Sequence, residues 1–166
     1  TMEASQEWLT YRDGFHALPQ RANLFGEVSK ALSDHAAVFC PAAQGVLWDG
    51  ASALSCRWDI ATFVRRSFAI IGQIQGFIHK QYSPNGYGAH PRPRNAHAIR
   101  LYDYAANRIA TVTNLHGLRD PAGKSDTPAR RRQAERLLEI AGQITEPGDL
   151  AVICGDFNVE PGSETF

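Results

Sequence analysis

The residues Leu150-Ala151-Val152-Ile153-Cys154-Gly155-Asp156-Phe157-Asn158-Val159-Glu160-Pro161 decide how the rest of the chain is interpreted. The run from Leu150 to Cys154 is apolar throughout and has the length of a strand, which predicts a strand buried on both faces. A turn bounded by glycine and proline follows, and it carries Asp156 and Asn158 to the same side. In an α/β protein, such a strand end is a common place for reactive groups.

The two polar side chains of this turn suit phosphoryl chemistry. The Asp156 carboxylate can orient or deprotonate a water molecule, or it can hold a divalent metal ion. Asn158 offers a donor and an acceptor to a phosphoryl oxygen without adding negative charge. The structural alternative is that Asp156 and Asn158 make an Asx-type turn after the strand.

A second polar group ends an earlier strand, in the run Asn114-Leu115-His116-Gly117. The His116 imidazole can bind a phosphate or take part in proton transfer near neutral pH. Asn114, two residues earlier, shares its face of the strand. A histidine in a strand is more often structural. A functional role for His116 is therefore inferred only because the chain also carries Asp156 and Asn158 after a strand.

Arginines supply further candidates. Arg94 ends a proline-rich loop just before a strand, and a guanidinium group suits bidentate phosphate binding; the alternative is a solvated loop arginine. Arg130-Arg131-Arg132 lies in the first turn of a helix, where positive charge opposes the helix dipole. We expect a solvated face there or, together with Arg119 and Lys124, a basic rim beside the His116 strand.

The pattern of apolar residues and turn signals predicts the other elements. Helices are predicted over 3–11, from the N-cap Asn23 to Asp34, and from the N-cap Thr127 to Gly142. Strands are predicted over 36–40, 60–64, 68–78, 96–102 and 109–115, with a hairpin at 65–67 and loops over 42–55 and 82–93. Strand, helix and the Leu150 strand then form an α/β crossover on a largely antiparallel sheet, which favours layered sheets between helices.

Length and composition limit the possible classes of protein. The 166 residues suit one domain, and 17 Lys and Arg balance 17 Asp and Glu, so the whole chain has no strong field toward nucleic acid or an anionic membrane. The three cysteines cannot all pair within the chain, which favours a reducing compartment. We see no membrane span and no signal peptide, and we expect a cytoplasmic location.

The Gly155-Asp156-Phe157-Asn158 run and the His116 strand, 40 residues earlier, resemble the endonuclease/exonuclease/phosphatase superfamily. The resemblance implies a four-layer α/β sandwich, with two mainly antiparallel sheets flanked by helices. It also implies a phosphoesterase dependent on Mg²⁺ or Mn²⁺, with His116, Asp156 and Asn158 as catalytic residues. Asp156 and Asn158 are the expected metal contacts, and Arg94 and Asn114 the expected substrate contacts.

The expected partner is a phosphoester substrate, for which a nucleic acid is one candidate, and no protein partner is predicted. The alternative is a degenerate family member that acts as a non-catalytic binding module. The family's Gln-Glu metal ligand and its late Ser-Asp-His are not matched, because Gln6-Glu7 follows no apolar strand and Ser33-Asp34-His35 comes too early. We therefore expect that residues 1–166 are one domain lacking N- and C-terminal parts.

Overall fold

The structure, a computed structural model, describes residues 2–12 and 17–165. In chain order its elements are β1 (Met2–Ala4), β2 (Trp8–Arg12), β3 (Ala17–Arg21), α1 (Leu24–Ala31), β4 (His35–Asp49), β5 (Ser52–Arg65), β6 (Phe68–His79), β7 (Arg94–Asp103), β8 (Arg108–His116), α2 (Pro128–Gly142) and β9 (Leu150–Asp156). Neither helix in the described ranges has the length and apolar character needed to cross a bilayer.

Two main sheets organise the chain. In the first sheet, β4 and β5 form a long antiparallel hairpin, and β1 pairs with the other edge of β5. The second sheet has the order β6-β7-β8-β9, in which β9 is parallel to β8 and the other pairs are antiparallel. Parallel neighbours need a crossover, and α2 provides it between β8 and β9. β2 and β3 pair separately.

The side chains of β7 alternate between the two faces of the second sheet. Ala96 and Ala98 pack with Leu137 and Ile140 of α2 in one core cluster. His97, between them, contacts Thr62 of β5 instead. Because successive residues of a strand point to opposite faces, the second sheet lies between α2 and the first sheet.

The outer face of the first sheet is covered by α1. The Phe25 ring centroid lies 5.0 Å from that of Phe39 and 5.9 Å from that of Phe63. Phe63 follows Thr62 and points away from the second sheet. The layers therefore run helix, sheet, sheet, helix, and the predicted sandwich of mainly antiparallel sheets between helices is confirmed.

Polar side chains hold the two sheets together. The His97 Nδ1 atom is 3.0 Å from Thr62 Oγ1 of the first sheet, and its Nε2 atom is 3.3 Å from Oε1 of Gln73, on the neighbouring strand of its own sheet. Asn95 Nδ2 donates to the Cys40 carbonyl at 2.8 Å. Burial lowers the pKa of His97, so the neutral imidazole fits this layer. Each buried polar group gains from a fixed partner, which favours one alignment of the sheets.

Both predicted helix caps are confirmed. Asn23 Oδ1 accepts a hydrogen bond from Gly26 N at 3.0 Å, and Thr127 Oγ1 accepts one from Arg130 N at 3.3 Å. Pro128 occupies the first helical position, where its missing N–H costs nothing. The second helix thus begins at the residue that the sequence indicates.

The predictions for residues 3–11 and 42–55 are wrong. The segment predicted as helix forms β1 and β2 instead, because strand pairing with β5 and β3 overrides a weak local pattern. The predicted loop belongs to the β4–β5 hairpin, since β4 continues past Pro41 to Asp49. A register shift between Pro41 and Ala43 marks a β-bulge, which lets the strand accommodate a residue without an N–H.

Two further expectations about strands fail. The hairpin at 65–67 does not form, because β5 and β6 belong to different sheets. β9 is not buried on both faces: Leu150 is 65% exposed and Val152 is 42% exposed. Only β8 pairs with β9 among the described strands, which leaves these side chains with fewer covering neighbours than the sequence predicts.

Candidate functional site

His116 and Asp156 end two adjacent parallel strands, directly opposite each other in the register of β8 and β9. The next backbone group joins the two ends, since Gly117 N donates to the Asp156 carbonyl at 2.5 Å. A Cβ atom on Gly117 would lie 2.1 Å from the Phe157 carbonyl oxygen. Only glycine allows the chain after His116 to approach the Asp156 turn this closely.

Gly155 plays the same part on the other strand. Its φ of +134° lies in a region that glycine favours, and a Cβ atom there would meet the Leu115 carbonyl oxygen at 2.1 Å. The His-Gly and Gly-Asp sequences are therefore complementary. Because neither glycine has a side chain, the adjacent candidate residue, His116 or Asp156, can lie close to the neighbouring strand.

Asp59 is a residue that the sequence reasoning missed. Its Oδ1 atom lies 2.5 Å from Nδ1 of His116, and its side chain is 4% exposed against 33% for the imidazole. Asp59 sits opposite Pro41 at the bulge, with a φ of +152°. The contact orients the ring and leaves Nε2 as the imidazole's other polar atom. The available signal was a single carboxylate within the apolar stretch Trp58-Asp59-Ile60.

Asn158 forms the Asx-type turn that is the structural alternative for this segment, and its role toward a phosphoryl oxygen or a metal ion stays a prediction. Its backbone N–H donates to Asp156 Oδ1 at 3.0 Å, which is the Asx-type turn, and its φ is +54°. Its Nδ2 atom donates to the Gly117 carbonyl at 3.1 Å. The turn therefore positions Asp156 and Asn158 together beside the end of β8, so the structural and the functional interpretations do not exclude each other.

Arg94 lies under this site. It is 9% exposed, and its guanidinium donates to the Gly117 carbonyl at 3.0 Å and to the Pro93 carbonyl at 3.0 Å. Burial lowers the pKa of Arg94, while the nearby carboxylates of Asp59 and Asp156 act in the opposite direction. Arg94 thus supplies positive charge close to both carboxylates, from a buried position rather than from a solvated loop.

Asn114 lies one step behind His116 on the same face of β8. Its Nδ2 atom donates to the Ala61 carbonyl at 3.2 Å and lies 3.5 Å from Thr62 Oγ1. The amide nitrogen therefore links the two sheets, and a contact of Asn114 with substrate stays a prediction.

A cleft of about 390 Å³ opens over these groups. Its polar wall is formed by Asp59, Asn114, His116 and Asp156, and its apolar wall includes Leu24, Val28, Ile60, Phe63 and Leu115. The carboxylate after Gly155 and the imidazole before Gly117 thus open onto one common cavity. Asn158 lines the adjoining cavity on the other side of the turn.

The sequence predicts a solvated face for Arg130, and this prediction is wrong because the side chain is buried. It is 1% exposed, and its guanidinium donates to the carbonyl oxygens of Ser125, Gly123, Leu118 and Asn158 at 2.5, 2.6, 3.5 and 3.0 Å. Arg131 and Arg132 are exposed. The first helical turn therefore uses one buried arginine to hold the loop after His116 against the Asp156 turn.

A divalent cation finds only part of its usual coordination in the described ranges. They hold no group of three or more His, Cys, Asp or Glu side chains arranged around a metal ion. Asp156 offers a carboxylate, although its Oδ1 atom already accepts the Asn158 N–H. In Asn158 the amide nitrogen is bound to Gly117, which leaves the amide oxygen as the possible ligand. These two side chains alone do not make a complete metal site.

No protein-family model and no curated protein sequence matches the chain. Solved structures do resemble it. An endonuclease/exonuclease/phosphatase from Bacteroides vulgatus is 18% identical, with a TM-score of 0.59 over 85% of this chain and 50% of that one. A mannosyl-6-phosphatase from Bacteroides thetaiotaomicron is 16% identical, with a TM-score of 0.59 over 85% of this chain and 49% of that one. The human Nocturnin catalytic domain is 19% identical, with a TM-score of 0.54 over 86% of this chain and 49% of that one.

The chain spans about half of the length of these structures. At such identities the likeness concerns the fold. The chain has the fold of endonuclease/exonuclease/phosphatase structures.

Proposed function

We propose that this chain carries the phosphate-binding and water-activating part of a phosphoester hydrolase. The observation that carries the proposal is the placement of His116 and Asp156 at opposed strand ends on one cleft, with Asp59 behind the imidazole. A fold shared with a solved mannosyl-6-phosphatase supports the same class of reaction.

Each group has a role that its contacts favour. His116, whose Nδ1–H donates to Asp59, can in its doubly protonated form donate from Nε2 to a non-bridging phosphoryl oxygen or to the leaving oxygen. Asp156 can accept a hydrogen bond from the attacking water and orient it for in-line displacement. The Asn158 amide, which donates one N–H to the Gly117 carbonyl, can donate its second N–H to another phosphoryl oxygen without adding repulsive charge. Arg94, which donates to the same Gly117 carbonyl as Asn158, can add positive charge beside these groups.

A divalent cation, Mg²⁺ or Mn²⁺, would neutralise charge on the phosphoryl oxygens in this reaction. Asp156 is the carboxylate that would contact it, with the Asn158 amide oxygen beside it. Mg²⁺ is commonly bound through one or two carboxylates together with water and substrate oxygens. The incomplete ligand set of the described residues also supports the second candidate, a degenerate binding module that holds a phosphoester without cleaving it.

The test compares Asp156→Ala and His116→Ala in the intact protein, with Mn²⁺ or Mg²⁺ and bis(4-nitrophenyl) phosphate as a generic diester. We expect each variant to lose at least about 100-fold in kcat/KM, the scale of a lost proton-transfer or oxyanion contact. Asp49→Ala and His35→Ala, which remove the same side-chain types away from the cleft, are the matched controls. Undiminished hydrolysis in both site variants would contradict the proposal, and binding without hydrolysis in the parent protein would favour the binding module.

A further inference from the structure

A second and larger cavity adjoins the site, on the far side of the Asp156 turn. Its volume is about 590 Å³, within the range of pockets that bind small molecules. It is called the loop cavity here and is lined by His90, Arg119, Asp120, Pro121, Gly123, Lys124, Arg130 and Asn158. Asn158 belongs to its wall, so a ligand at Asp156 borders directly on this space.

The walls of the loop cavity are fixed by hydrogen bonds. Arg130 donates to the carbonyl oxygens of Gly123 and Asn158, and all three residues line the cavity. Glu160 N donates to the Lys124 carbonyl at 3.2 Å. Leu118 N donates to Gln133 Oε1 at 2.6 Å. The loop after His116 is therefore held at several points by α2 and by the turn after β9, which makes it a preformed surface.

The charge of the loop cavity is positive although the chain as a whole carries no net charge. Arg119 and Lys124 are exposed, and neither side chain forms an ion pair within the described part of the chain. Asp120 contributes one negative charge, but its Oδ1 atom accepts the Ala122 N–H at 2.9 Å. His90 adds an imidazole to the lining. Arg130, in the wall, has a buried Nε atom without a hydrogen-bond partner among the described atoms.

The loop cavity borders the candidate reaction site at the Asp156 turn. Asn158 lines the cavity, and its backbone N–H donates to Asp156 Oδ1 at 3.0 Å. The exposed cations of Arg119 and Lys124 therefore lie in a cavity that is joined to Asp156 through a single residue. Two exposed cations without an ion-pair partner in the described ranges suit an anionic group separate from the reacting phosphate.

We propose that the loop cavity binds a second phosphate group of the substrate, through Arg119 and Lys124, next to the phosphoester held at His116 and Asp156. This inference rests on the proposed function and narrows its substrate class to compounds with two phosphate groups. Arg119, which can bind a phosphate in a bidentate manner, fixes its orientation, and Lys124 adds a point charge. A sugar bisphosphate and a 5′-phosphorylated dinucleotide share this chemistry.

The first experiment measures binding, so that it does not depend on hydrolysis. Orthophosphate and pyrophosphate are titrated calorimetrically into the intact protein, its Arg119→Ala/Lys124→Ala double variant and a matched Arg66→Ala/Arg108→Ala control. The control removes two exposed arginines, one in the turn after β5 and one at the other end of β8 from His116. We expect pyrophosphate to bind at least about tenfold more tightly than orthophosphate, as a contact to a charged group implies. The ratio should fall toward one in the double variant and persist in the control.

A ratio near one in the parent protein, or a ratio that survives the double substitution, overturns the proposal. Arg119→Gln and Lys124→Gln singly give the same test if the double variant does not fold, and each should lower the ratio. Hydrolysis of bis(4-nitrophenyl) phosphate, measured in parallel, separates the two claims. Hydrolysis without the binding ratio refutes the second phosphate site alone, and the ratio without hydrolysis refutes the proposed reaction alone.

The source of the second phosphate is then identified by two substrate pairs. A hexose bisphosphate is compared with the hexose monophosphate, and a dinucleotide with a 5′-phosphate is compared with the same dinucleotide without it. We expect the extra phosphate to lower KM by at least about tenfold in one pair, and this advantage should disappear in the double variant. An advantage in neither pair contradicts the proposal.

Discussion

The Nδ1 atom of His116 lies 2.5 Å from Oδ1 of Asp59, and these two residues come from different sheets. β8 supplies the imidazole and β5 supplies the carboxylate that orients it. The pair therefore crosses the interior of the sandwich at the floor of the cleft.

The Asp59–His116 contact predicts the effect of Asp59→Asn. An amide that donates to Nδ1 favours the opposite tautomer of the ring, so we expect kcat for phosphodiester hydrolysis to fall about 10- to 100-fold with little change in KM. The ¹⁵N chemical shifts of the His116 ring should report the change of tautomer directly. Asp49→Asn, at the end of β4, should change neither quantity. Unchanged ring shifts in Asp59→Asn would show that the carboxylate does not orient His116.

The close approach of Gly117 to the Asp156 turn predicts a large cost for Gly117→Ala. The added Cβ atom would lie 2.1 Å from a backbone oxygen that cannot move independently, so we expect the free energy of unfolding to fall by at least about 1–3 kcal/mol. Urea denaturation measures this loss. Gly142→Ala is the control, because a Cβ atom at the end of α2 meets no neighbouring atom within 4 Å. It should be neutral or stabilising by up to about 1 kcal/mol. Equal free energies of unfolding of the two variants would contradict the close approach of Gly117 to the Asp156 turn.

The buried position of Arg130 predicts that its neighbours in sequence are not equivalent to it. Arg130→Met leaves several carbonyl oxygens without their donor, and we expect a loss of about 3 kcal/mol in the free energy of unfolding. Arg132→Met should have little effect on the free energy of unfolding, because the Arg132 side chain is exposed. Hydrogen exchange of residues 117–126 should accelerate only in Arg130→Met. Similar exchange rates in both variants would show that Arg130 does not hold the loop after His116.

Asp126 predicts a pH dependence of the segment after the Asp156 turn. Hydrogen bonds from the Ser163 hydroxyl, the Glu164 N–H and the Thr165 hydroxyl lower the pKa of Asp126 to about 2. A carboxylate whose pKa is lower in the folded state stabilises the fold above its unfolded pKa of about 3.8, and this contribution is lost as the pH falls toward 2.

We therefore expect the amide protons of Glu164 and Thr165 to lose protection between pH 4 and about 2 before the sheets unfold. Two-dimensional NMR along a pH titration measures this. Asp126→Asn should remove the pH dependence and show weakened protection already at pH 6. Protection that persists unchanged in Asp126→Asn would contradict the assigned bonds.

The elements that could be predicted from sequence are those with local signals. The start of α2 is marked by its own N-cap Thr127 and by Pro128. The strand that ends in His116 is marked by the apolar residues of the strand itself. Asp59 could not be placed in this way, because its partner lies 57 residues away and the bulge at Pro41 sets its orientation. The β9 prediction failed for a related reason, since an apolar run reports hydrophobicity and not the number of neighbours that a strand has.

Arg130 shows the same limit at the level of charge. Three successive arginines look equivalent in the sequence, yet a helix distributes them over different faces, and only the first turns toward the carbonyl oxygens below. The interactions that distinguish them arise from loops 117–126 and 156–165, whose paths no local pattern fixes.

The polar layer between the sheets has a consequence for how this site is built. Asp59 and His116 each belong to a different sheet, and the bonds His97–Thr62, Asn95–Cys40 and Asn114–Ala61 run across the same gap. A purely apolar interface would tolerate sliding of the sheets, because hydrophobic contacts have no preferred direction. Here a shift of one sheet relative to the other would break all of these hydrogen bonds together. The bonds that align the two sheets therefore also fix the distance between Asp59 and His116.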